Sequence, residues 1–310
     1  MFYNWHVIGH QKELSSLEHD IRNDSISHAY LFVGASKIGK FRVAKSMAGI
    51  LQCPNDYCRT CPSCIQVDKQ SHADTMEFED NGESFKIETV RQIIERLYKT
   101  AQSRYKIVLL ENIERLTLDA SHTLLKVLEE PPPKTVFLLT AQFTRNVIPT
   151  IISRVRVVPF KSPSLQLLTE SLEKMFPETN KETRDIALFL AQGRSGHAIQ
   201  LLQNTELFQE TKDLYRQVEF LDQDASIATR MIYIQELTKD PAKPKVKDPA
   251  KIREFLSLTG HYFRQKMLTT TDKKKQQRAI EILEQLDTIS ELMKRNINSK
   301  LLLENLMLNL

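Results

Sequence analysis

Gly34-Ala35-Ser36-Lys37-Ile38-Gly39-Lys40 has the residue types and spacing of a phosphate loop, followed by Phe41. Backbone N–H groups of such a turn and of the helix after it cradle phosphate oxygens, and the lysine adds a point charge. A working loop next carries Ser or Thr, whose hydroxyl ligates the Mg²⁺ of the nucleotide. Phe41 has no side-chain oxygen, so the loop is present and its metal ligand is missing. Lys40 therefore has two readings, a phosphate ligand alongside Gly34 and Gly39 or a surface lysine on an inherited loop. A second defect lies at Glu111-Asn112, after an apolar run. A nucleotide hydrolase carries an Asp there for the metal and often a Glu for the water; Glu111 keeps a carboxylate, whereas Asn112 accepts no proton.

All four cysteines fall between 53 and 64, as Cys53, Cys58, Cys61 and Cys64. Disulfides are disfavoured in a reducing cytosol, and cysteines two residues apart bridge awkwardly. An iron–sulfur cluster also takes four thiolates, but nothing else in the chain suggests electron transfer. The spacing suits a tetrahedral zinc site, expected to be structural because four protein thiolates leave no open position for catalysis.

The elements that must position these residues follow from apolar spacing. Ala29–Val33 reads as a buried strand entering the loop, and 41–51 as the helix leaving it. Gln11–Ile21 reads as an amphipathic helix, 75–79 as a strand and 88–101 as a helix. Ile107–Leu110, Val136–Leu139 and Val155–Val158 read as buried strands, and 119–130 as a helix stopped by Pro131-Pro132-Pro133. Strands alternating with helices predict an α/β fold, a doubly wound parallel sheet covered on both faces. Beyond Pro159 only helices are expected, at 165–176, 181–191, 198–202, 206–221, 227–237, 252–268, 276–294 and 298–308. The Lys239–Lys251 stretch repeats KDPAK without apolar periodicity and reads as a solvated loop. Trp5 and the C-terminal Met and Leu residues are assigned to the core.

The composition, 41% hydrophobic and 26% charged with a net charge of +4, is that of a soluble globular chain with room for two or three domains. No apolar run reaches transmembrane length and no signal-peptide pattern opens the chain, so a cytoplasmic protein without membrane contact is expected.

The stretch Asp119-Ala120-Ser121-His122-Thr123-Leu124-Leu125-Lys126-Val127-Leu128-Glu129-Glu130-Pro131-Pro132 resembles the LLK-x-LEEPP signature of bacterial DNA polymerase III clamp-loader subunits, of the AAA+ class. Pro149-Thr150-Ile151-Ile152-Ser153-Arg154-Val155 is similar to their P-T-I-x-S-R-C segment, with Val155 departing from the usual cysteine. The 296–306 stretch is similar to the end of their collar domains. The resemblance implies an AAA+ domain over 1–160 with a zinc module at 53–64, a helical lid over 161–206 and a helical collar over 207–310. Phe41, Asn112 and Gly196 (the last where the hydrolysing subunit has a lid arginine) stand at three motor positions. Their loss points within the family to the non-hydrolysing delta-prime type, which uses no ATP of its own. Such a subunit helps load the sliding clamp (beta) on primed DNA beside ATP-hydrolysing tau/gamma subunits and a delta subunit. The resemblance also implies that Ser153 and Arg154 supply an arginine finger to a neighbour's site. Two other readings are an active phosphate-loop ATPase or nucleotide kinase, and a zinc-containing nucleic-acid reader. The cysteine window lacks the basic and aromatic interleaving of the latter.

Overall fold

The computed structural model describes residues 2–238, 249–294 and 297–310. The chain forms two compact units, Met1–Ile199 and Gln200–Leu310. In the first, helix α1 (Gln11–Arg22) precedes strand β1 (Ala29–Val33). Then follow α2 (Lys40–Gln52), α3 (Pro62–Asp68), β2 (Thr75–Phe78), α4 (Ile87–Leu97), β3 (Lys106–Leu110), α5 (Leu118–Glu129), β4 (Thr135–Ala141), α6 (Pro149–Ile152) and β5 (Arg156–Pro159). Helices α7 (Leu165–Met175), α8 (Lys181–Ala191) and α9 (Ser195–Gln203) end this part of the chain.

The five strands form one sheet in the order β2-β3-β4-β1-β5, and every pairing is parallel. Alternate residues face opposite sides of each strand. Tyr30, Phe32, Ile107, Leu109 and Leu138 join one apolar cluster, with α1 and α2 residues such as Leu14, Leu17, Val43 and Met47. Ala29, Leu31, Val108, Leu110, Phe137 and Leu139 join another, with Val90 and Ile93 of α4 and Leu124 and Leu128 of α5. Helices on both faces explain why the inner strands β1, β3 and β4 are buried along almost their whole length and mostly apolar, as the α/β pattern predicts.

The expectation of a buried strand at 155–158 is corrected. Strand β5 runs over Arg156–Pro159, and within it only Val158 is buried. It is the sheet's edge, bonded to β1 alone, so one side of it stays open. Helix α4 stops at Leu97, four residues short of the expected end. The buried Lys106 ammonium binds the carbonyls of Leu97 and Lys99 there, holding the chain out of helical continuation. The KDPAK stretch lies mostly outside the described residues, and its last residues, Pro249 to Lys251, open a helix rather than ending a loop.

The second unit is all helical: α10 (Thr205–Gln223), α11 (Ile227–Leu237), α12 (Pro249–Thr269), α13 (Lys273–Lys294) and α14 (Ser299–Asn309). Its core gathers Val218, Ile234, Phe255, Phe263, Ile282 and Leu303. Inside it the buried Asp222 carboxylate accepts a hydrogen bond from Tyr262 Oη at 2.8 Å and pairs with Lys266. Among the described residues no helix is long and apolar enough to cross a membrane.

Candidate functional site

Residues at the carboxyl ends of parallel strands meet along one edge of the sheet, where ligands of such folds bind. Here β1 runs into Gly34, β3 into Glu111 and β4 ends at Ala141; the Gly34 amide bonds the Ala141 carbonyl at 3.2 Å. Gly34 has φ 155°, and a Cβ on it would stand 2.4 Å from the Phe160 carbonyl oxygen, so no larger residue fits this turn.

The loop is held by its own carbonyls. Lys40 Nζ donates to the Gly34 and Ala35 carbonyls, both at 2.7 Å. The Ile38 carbonyl accepts from Ser195 Oγ at 3.1 Å and lies 2.9 Å from His10 Nε2, while the Lys37 carbonyl accepts from the Gly196 amide at 2.8 Å. Lys40 is 5% exposed, which rules out the reading of it as a surface lysine. Burial pushes its ammonium down to about 8, against the pull of Glu114 and Glu111. Phe41 packs its ring against the cluster around α2, so the position of the missing hydroxyl serves the core.

Glu111 and Asn112 bind a neighbouring loop rather than open space. Glu111 accepts from the Asp80 amide at 3.0 Å, and burial raises its carboxyl above the usual range. Asn112 takes a left-handed backbone with φ 52°. Its side-chain amide donates to Asp80 at 2.6 Å, and Asp80 in turn pairs with Arg115 at 2.7 Å. The carboxylate felt most by Lys40 is Glu114, which sequence reasoning missed because it stands four residues beyond the strand end.

The contact of α9 with the loop was also illegible. Helix α9 begins at Ser195, three residues before the expected start, and its first turn lies on the loop. A Cβ on Gly196 would meet the Lys37 carbonyl oxygen at 2.8 Å. His197, buried beside Lys37 and Arg194, has no hydrogen-bond partner on either ring nitrogen among the described residues. Burial first, then those two cations, push its imidazole down to about 3.

The four cysteines converge, with all Sγ atoms within 4.8 Å of one another. Cys53 Sγ lies 3.7 Å from both Cys58 and Cys61 Sγ. That is far beyond a disulfide bond and close to the edge, about 3.8 Å, of a tetrahedron with metal–sulfur bonds of about 2.3 Å. Backbone amides of Asn55 and Cys64 point at Cys53 and Cys61 Sγ, at 3.3 and 3.5 Å. Hydrogen bonds from Thr60 hold the Cys58 thiol down to about 6, whereas burial pushes that of Cys64 up. The donor set can hold a metal ion, and the sulfurs would take all four ligand positions.

Arg154 lies at the surface just past α6, its side chain 35% exposed. Nη1 donates to the Thr150 carbonyl and to Ser153 Oγ, both at 3.0 Å, and Nη2 pairs with Glu129 Oε1 at 2.7 Å.

The loop, the strand ends and the LEEPP helix all fall within residues 9–164, half of the chain, and this stretch matches the model of the family described as DNA polymerase III, delta subunit. The chain belongs to this clamp-loader family. Among curated clamp-loader relatives, the gamma subunit of Buchnera aphidicola from Acyrthosiphon pisum is 33% identical over 55% of this chain and 46% of its own. The delta' subunit of Bacillus subtilis is 28% identical over 68% and 60%, and that organism's tau subunit 25% over 86% and 50%. The chain spans about half the length of these curated relatives. A crystal structure of a gamma-subunit-related protein from Thermotoga maritima aligns with 94% of this chain and 97% of its own, at 20% identity and a TM-score of 0.47.

Proposed function

We propose that this chain is the non-hydrolysing, delta-prime type of clamp-loader subunit. In this reading residues 1–160 form its AAA+ domain, 161–206 its lid and 207–310 its collar. It works in a ring with ATP-hydrolysing tau/gamma subunits and a delta subunit, which together open the sliding clamp and set it on primed DNA. The observation that carries the reading is the phosphate loop closed on itself. Lys40 is spent on the Gly34 and Ala35 carbonyls, Phe41 on the core, and the lid position holds a glycine against Lys37.

Zinc is the metal we assign to Cys53, Cys58, Cys61 and Cys64. It would supply structure alone, tying the turn after α2 to α3. Arg154, steadied by Ser153, is the residue we assign to a neighbour's site. A guanidinium's planar fork matches the charge spread over a transferring phosphoryl group, which a lysine ammonium does less well.

The test replaces Arg154 in the complex reconstituted with its cognate subunits, clamp and primed DNA. Fingers supplied in trans are worth roughly a thousandfold or more at one site, diluted where a ring has several. Arg154→Ala is expected to leave assembly intact and to lower ATP hydrolysis by the complex, with Arg154→Lys rescuing only part. Normal assembly with an unchanged rate would remove Arg154 from the mechanism.

A further inference from the structure

Helix α5 ends with Leu128-Glu129 and then Glu130-Pro131-Pro132. A carboxylate in the last turn of a helix faces the negative end of the macrodipole and is unfavourable there, so helix formation does not explain Glu129. Nor does packing, because the residue is exposed. What Glu129 does have is the guanidinium of Arg154, with Oε1 2.7 Å from Nη2.

That contact completes a three-point hold. Ser153 Oγ donates to the Thr150 carbonyl at 2.9 Å, which orients it to accept from Arg154 Nη1 at 3.0 Å. Nη1 also reaches the Thr150 carbonyl itself. Both Nη1 hydrogens and one on Nη2 are therefore engaged. The Nε hydrogen and the second Nη2 hydrogen have no acceptor among the described residues, and these are the donors left for an incoming anion. Thr150 and Ser153 belong to the same short turn as Arg154 and move with it. Glu129 belongs to another element, so it alone fixes the long side chain relative to the body of the sheet domain.

We infer that Glu129 is the positioning residue for Arg154: its carboxylate pins Nη2 so that the remaining guanidinium hydrogens face a phosphoryl group on an adjacent subunit. This rests on the reading of Arg154 as a residue acting in trans. A flexible arginine would visit the reacting geometry only part of the time, and small displacements at a reacting centre cost rate steeply. Glu129 thus acts on the rate of the neighbour's chemistry without touching the nucleotide. The same ion pair, being exposed, contributes little to folding, so removing it leaves a folded chain to assay.

The experiment measures ATP hydrolysis by the reconstituted complex on clamp and primed DNA, with kcat and KM separated, for Glu129→Ala, Glu129→Gln, Arg154→Ala and Arg154→Ala combined with Glu129→Ala. Glu129→Ala is expected to lower kcat by roughly three- to tenfold with KM for ATP unchanged, because the finger acts on the transition state. Glu129→Gln keeps an acceptor oxygen and is expected to fall between Ala and Glu. In the Arg154→Ala background the Glu129 substitution is expected to add nothing. An unchanged kcat for Glu129→Ala, a raised one, or the same loss with and without Arg154 overturns the inference. If Arg154→Ala slows the complex and Glu129→Ala does not, only the role of Glu129 falls. If Arg154→Ala itself leaves the rate unchanged, the trans reading falls and this inference with it.

Discussion

Phe41, Asn112 and His197 are each taken up by the interior of the domain. Phe41 exchanges a hydroxyl that would ligate Mg²⁺ for apolar burial on α2, and Asn112 exchanges a carboxylate for an amide that binds Asp80. His197 is buried neutral beside two cations, with neither ring nitrogen bonded among the described residues. Its folded-state value of about 3 lies below the ordinary 6.5, so between these values the unfolded chain binds the proton and the folded chain does not. Stability contributed by neutral His197 is therefore intact above pH 6.5 and lost as pH falls from 6.5 toward 3. Relative to His197→Leu, the unmodified chain is expected to lose stability on acidification through that window. The slope of the difference should not exceed about 1.4 kcal/mol per pH unit. Denaturant unfolding at a series of pH values measures it, and parallel curves for the two proteins would show that His197 titrates normally.

Two elements carry the site. The first turn of α9 approaches the loop so closely that Gly196 has no room for a side chain. Gly196→Ala must push the turn off the Lys37 carbonyl or distort the loop, and a loss of about 1–3 kcal/mol is expected, as for other overpacked contacts. Thermal unfolding reads this as a lowered Tm; an unchanged Tm would mean that α9 yields without cost. The other element is the cysteine turn between α2 and α3. The turn and α3 bury few apolar residues, Cys53, Tyr57, Cys64 and Val67, and we assign their order to a metal. Elemental analysis of protein purified without added metal is expected to find about one zinc per chain, and Cys61→Ser to lose it. Folded protein free of metal, or cysteines paired as disulfides, would sink the assignment.

For the whole molecule, the isolated chain is expected not to turn over Mg·ATP. Loss of a metal ligand and of a base each costs orders of magnitude in rate. Phe41→Thr with Asn112→Glu is expected to regain nucleotide affinity at most, since on the proposed reading Gly196 stands in place of an arginine. A steady-state phosphate-release assay decides it. Magnesium-dependent turnover by the unmodified chain would replace the scaffold reading with that of an ATP-hydrolysing subunit.

Local spacing was enough to read the strand, turn and helix at Ala29–Gln52, the apolar inner strands and the cysteine window. In each, the deciding information lies within a few residues, in side-chain period, turn residues and ligand spacing. The absent hydroxyl at Phe41 and the absent carboxylate at Asn112 were legible for the same reason, because each is a property of one residue. Strand β5 was misread as buried because four apolar-rich residues look alike whether a strand has one neighbour or two, and only the sheet order places it at the edge. Whether Lys40 faced water or its own loop, where α9 landed, and which carboxylate met Arg154 depended on chain segments far apart in sequence. Ile38 and Ser195 are 157 residues apart and meet through one hydrogen bond. Glu129 and Arg154 sit on separate elements whose approach follows from the packing of α5 and α6. Such contacts arise when elements dock to bury apolar faces, and no single stretch of the sequence contains both partners.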